Sequence, residues 1–96
     1  MNIYRHQFIC ICPANAKPII YNLELTALFM IRVEHIALGC QLFQQAFHED
    51  IAAALHARFG GQIVLVAHHH GVDIETRLGV PDQRPNAVKF VAAGTK

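Results

Sequence analysis

Three consecutive histidines, His68-His69-His70, are the densest local source of chemistry in this 96-residue chain. At the end of a strand, residues i and i+2 share a face, so His68 and His70 can offer two imidazoles to a cation such as Zn²⁺. A third ligand is then needed. His6 supplies it if its strand neighbours the one that ends in the triplet, and Asp73 or Glu75 across the following turn can supply oxygen instead. The plainer alternative is a polar hairpin turn. A second constellation is Glu34-His35 at the head of a helical pattern, where the helix dipole favours a carboxylate and weakens an imidazole's hold on its proton. That pair suits acid–base work or ligand binding; ordinary dipole compensation accounts for the glutamate equally well. Glu34 and His35 are therefore the candidate ligand-binding residues, and His6, His68 and His70 the candidate metal ligands.

Other chemistry is weaker or excluded. Cys10-Ile11-Cys12 puts two thiols on one strand face, but no second cysteine pair completes a four-sulfur shell, so packing as small hydrophobes is the simpler expectation. His48, Glu49, Asp50 and His56 fall on what would be the wet side of a helix. The chain contains no serine, and its only threonines are Thr26, Thr76 and Thr95, which removes serine hydrolase chemistry. Gly60-Gly61 is a lone pair with no Lys-Ser/Thr behind it and so forms no phosphate cradle.

The elements that must position these residues follow from periodicity. Between Ile3 and Cys12, Tyr4, Phe8 and Cys10 alternate against Ile9 and Ile11, a strand whose second face is also partly apolar. Pro13 and Pro18 bracket a loop. Ile19, Tyr21, Leu23 and Leu25 then alternate with Ile20, Asn22, Glu24 and Thr26, the period-2 pattern of a half-buried strand. From Val33 the apolar set becomes Val33, Ile36, Cys40, Phe43, Phe47, Ile51, Leu55 and Phe59, which predicts a long amphipathic helix ended by Gly60-Gly61. Gly39 and His48-Glu49-Asp50 are its weak points, and the latter would serve as a second N-terminus if residues 33–59 form two helices. Residues 62–67 are a short continuous apolar run rich in β-branched residues, the mark of a strand buried on both faces. Residues 72–78 alternate again. Residues 80–96 form a tail that either pairs as an edge strand or frays.

The order β-β-α-β-β predicts a single α+β domain over residues 1–79, in which an antiparallel sheet is covered on one face by a long helix. The other face is the difficulty. Ile9, Ile11, Ile20 and two apolar residues of the third strand point away from the helix, and burying each would contribute roughly 1.5–3 kcal/mol. A second copy is the simplest cover, so the expected assembly is a homo-oligomer, most simply a dimer.

Composition narrows the partners. The chain is 53% hydrophobic and 16% charged with a formal net charge of +1, so it can build a core, and its scattered cations make no footprint for nucleic acid. No apolar run is long enough to span a membrane, and residues 1–6 do not open a signal peptide. Three cysteines do not form a disulfide framework, which suits a reducing cytoplasm.

Across residues 3–78 the order strand-strand-helix-strand-strand resembles the tunnelling fold of pterin-binding enzymes, such as dihydroneopterin aldolase and the pyruvoyl-tetrahydropterin synthases. The resemblance implies hairpin sheets joined into oligomeric barrels, an acidic residue holding a pterin ring and, as in the synthases, zinc held by three histidines. It would assign the anchor to Glu34 and the metal to His6, His68 and His70. Two functions follow as expectations. The first is a small homo-oligomeric binding or interaction module; the second is a pterin-like small-molecule or metal-dependent enzyme with its site between subunits.

Overall fold

The computed structural model describes residues 1–79, and the predicted tail at 80–96 lies outside them. Four strands, β1 (Asn2–Ile11), β2 (Pro18–Ala27), β3 (Gln62–His69) and β4 (Val72–Leu78), form an antiparallel sheet in the order β1-β2-β3-β4. Two helices, α1 (Val33–Gln41) and α2 (His48–Phe59), cross between the second and third strands. The α+β class and the two-layer arrangement are as the periodicity predicts.

Register fixes the faces. Tyr4 pairs with Leu25, Phe8 with Tyr21 and Cys10 with Ile19, while Tyr21, Leu23 and Leu25 pair in turn with Ala67, Leu65 and Ile63. One face therefore carries nearly all the large apolar residues, and Ile36, Cys40, Ile51, Ala52 and Leu55 of the helices close over it. All three cysteines are free and buried within this core. Burial pushes the Cys10 thiol up and the Cys40 thiol up to about 11, which suits packing and not reactivity.

The single long helix is corrected to two. Ile11 at the end of β1 donates its N–H to the Gln44 carbonyl at 2.9 Å and accepts from Ala46 N–H at 3.2 Å, a parallel bridge to the segment between the helices. Residues bonded to a strand edge cannot also close i→i−4 helical bonds, so the helix stops before them and restarts after them. The restart changes the phase. α2 buries His48, Ile51, Ala52 and Leu55, whereas Phe47, expected inside, is 51% exposed. His48, expected on the wet side, is only 5% exposed. Gly39 lets α1 approach α2, since a Cβ there would sit 2.9 Å from the Phe59 ring.

The open face is less apolar than expected. Val64 is flanked in register by Glu24 and Arg77 and is 7% exposed without any partner. Arg5 pairs with Glu24 at 2.9 Å, Gln7 Nε2 donates to Asn22 Oδ1 at 3.1 Å, and Arg77 holds Glu75. The carbon stems of these side chains shield the sheet beneath them. Ile9 and Ile20, paired across β1 and β2, are left 61% and 53% exposed.

Candidate functional site

The β3–β4 turn sends the histidine triplet in three directions. His70 and Gly71 have φ of 49° and 82°, two consecutive positive values that define a tight two-residue hairpin of the type that matches strand twist. β3 accordingly runs to His69, two residues beyond the predicted apolar run, and His69 pairs with Val72. His68 points to the open face, where its Nδ1 lies 2.7 Å from Asp73 Oδ1. His70 sits in the turn with Nε2 3.1 Å from Asn15 Nδ2. His6 lies on β1, separated from β3 by the whole of β2 and on the helix-covered face. Within one chain, then, His6, His68 and His70 share no site. Among the described residues no group of three or more His, Cys, Asp or Glu side chains is placed to hold a metal ion.

Glu34 and His35 are both exposed in the first turn of α1. Arg32 reaches Glu34 with Nη2 at 3.0 Å and Nε at 3.2 Å. The Glu34 carboxyl is held below its ordinary range, first by its own backbone N–H and then by Arg32, so it stands ionised. His35 lines a cavity of about 530 Å³ together with Arg32, Arg58 and four apolar residues.

Sequence reasoning missed the cluster that the fold builds. His69 shares the helix-covered face with Ile63, Leu65 and Ala67, and its Nε2 lies 3.3 Å from the Tyr21 hydroxyl. Tyr21 is fully buried, and burial pushes its phenol up to about 12. Its ring stacks on Phe8 at 5.3 Å and meets His48 at 5.5 Å. His48 in turn lies 5.8 Å from His69. Neither ring nitrogen of His48 has a hydrogen-bond partner. Desolvation and then the neighbouring His69 lower its pKa, against weaker pulls from the Leu65 backbone and Glu49. The alternation of residues 63, 65, 67 and 69 was the signal for His69; none existed for His48.

The open face holds a second cavity, also about 530 Å³, whose floor is Val64 and Val66 and whose walls are the paired side chains of Arg5, Glu24, Glu75 and Arg77. Its guanidinium and carboxylate groups are already bonded to one another, which makes it polar yet electrostatically satisfied. Among the described residues no helix is long and apolar enough to cross a membrane.

No family model and no curated protein matches the chain. Among solved structures it is similar to the archaeosine synthase QueF-Like in the apo form, with a TM-score of 0.65 at 12% identity over 86% of this chain and 95% of that one. At that identity the likeness is one of fold, and it supports a tunnelling-fold architecture.

Proposed function

We propose that the chain works as a homo-oligomer, assembled edge to edge through its sheets, that binds a small molecule at the boundary between copies. The observation that carries this reading is the state of the sheet edges. β1 and β4 bound the sheet, and among the described residues no strand pairs with the outer edge of either, apart from the bridge at Ile11. Rows of open N–H and C=O groups are templates for strand addition. Joining such edges would extend the layer and turn the polar open face, with its Arg5–Glu24 and Glu75–Arg77 pairs, toward a wet interior. The fold shared with a protein named as an archaeosine synthase favours a ligand in that assembly over a purely mechanical role.

Exposed Ile9 and Ile20 add apolar area that a neighbouring copy would cover. The alternative of an interaction module without a ligand keeps the same assembly and differs only in its occupant. Sedimentation equilibrium is the first test, with neopterin and guanine added in a parallel thermal-shift series. A stable multiple of the 10.7 kDa mass with a ligand-dependent rise in melting temperature is expected. A monomer at tens of micromolar ends the proposal, and an oligomer that responds to neither heterocycle favours the interaction module.

A further inference from the structure

We propose that the cavity between the β2–α1 junction and the end of α2 is a binding site for a small aromatic anion, complete within one chain. Phe29, Met30, Ile31 and Phe59 supply its apolar walls, and Arg32, His35 and Arg58 its polar ones, around a volume of about 530 Å³. That is the size range of small-molecule sites. No carboxylate lines it, so two guanidinium groups and an imidazole face the space with no lining anion. Arg32 is engaged by Glu34 at 3.0 Å, whereas among the described residues no carboxylate pairs with Arg58 or His35. The unmatched charge lies with Arg58, and His35 adds a ring nitrogen that can hydrogen-bond.

The apolar half points the same way. Phe29 and Met30 are 53% and 78% exposed, although they follow directly on a strand whose last residue, Ala27, is fully buried. An exposed phenyl ring beside an unpaired guanidinium offers a planar ligand a stacking face, and the guanidinium fixes its charged substituent. A neutral heterocycle would leave Arg58 and His35 unused, and a bare inorganic anion would leave Phe29 and Met30 wet. A ring bearing a phosphate or carboxylate satisfies both halves.

The probe is 1-naphthyl phosphate, followed by amide NMR shifts in the full chain, with 1-naphthol and inorganic phosphate run beside it. For a ligand of that size a Kd on the order of 0.5 mM is expected, with saturable shifts confined to residues 28–35 and 58–60. Phosphate alone and naphthol alone should each bind about tenfold more weakly. Arg58→Gln and Phe29→Ala should each weaken the naphthyl phosphate by about tenfold, while Arg77→Gln on the open face changes nothing. Both target side chains are exposed, so the variants keep the fold, and an unperturbed amide spectrum verifies it. Absence of saturable binding up to about 5 mM, ten times the expected Kd, overturns the proposal. So do shifts centred elsewhere, an Arg58→Gln variant that binds as tightly as the parent, or naphthol or phosphate binding as tightly as the conjugate. Because every lining residue comes from one chain, the outcome is independent of whether copies assemble.

Discussion

The rings of His48 and His69 meet edge to face, with centroids 5.8 Å apart and an interplanar angle of 72°. A proton on His48 would sit in a buried site, beside a second imidazole and at the positive end of α2. The folded chain therefore refuses a proton that the unfolded chain accepts near pH 6.5. Stability from this group is fully present above that pH and is lost as the pH falls below it. Urea midpoints should decline as the pH falls below about 6.5 by this mechanism. His48→Phe should flatten the decline and be neutral or stabilising at pH 7.5, since it removes two unsatisfied polar atoms. A variant midpoint that tracks the parent at every pH would refute this account.

Tyr21 titrates at the other end of the scale. Burial holds its phenol neutral, raising the pKa from 10.0 to about 12. The sign here is the reverse: the unfolded chain loses its proton first, so stability is lost as pH rises from 10 toward 12. Ultraviolet difference titration should show a late tyrosinate step that Tyr21→Phe removes. The substitution should cost about 1 kcal/mol at neutral pH for the lost contact with His69.

Gly61 is a tight backbone position at the entry to β3. Its φ is +67°, and a Cβ there would run into the Thr26 carbonyl oxygen on the neighbouring strand. Backbone cannot yield as a side chain can. Gly61→Ala should lower stability by more than about 2 kcal/mol in chemical denaturation. Gly39→Ala should cost less, because the atom in its way belongs to the Phe59 ring, which can shift.

Leu55 is fully buried between α2 and the sheet. Truncation to alanine should cost about 2–5 kcal/mol, read from the same denaturation curves. Ile20→Lys, on the open face, should change single-chain stability by no more than about 0.5 kcal/mol while lowering the assembled fraction in sedimentation. Equal assembly in parent and variant would remove Ile20 from any contact between copies.

Much of this architecture was written in local pattern. The alternation through Tyr21, Leu23 and Leu25 placed β2 on the correct face, and Gly60 ended α2 where the periodicity stopped. His48-Glu49-Asp50 marked where a second helix would start, but one helix or two stayed open, because the apolar spacing from Cys40 through Phe43 and Phe47 to Ile51 runs on unbroken. What interrupts it is Ile11, more than thirty residues earlier in the chain. The same contact explains the error over His48: once the helix restarts, positions 48, 51, 52 and 55 make the inner face and Phe47 is left outside. In the triplet, i and i+2 suggested a chelate, but the turn claimed His70 and left His69 as the inward-facing member. The expected greasy second face failed in part because Glu24 and Arg77 flank Val64, a cover that depends on strand register.

The rung at Ile11 has one more consequence. With residues 44–46 already occupying the outer side of β1 at its last position, a strand arriving from a neighbouring molecule can climb only as far as Cys10 before it meets that obstacle. In the proposed assembly the stagger between adjoining molecules would thereby be bounded by a loop that lines neither of the two cavities described above.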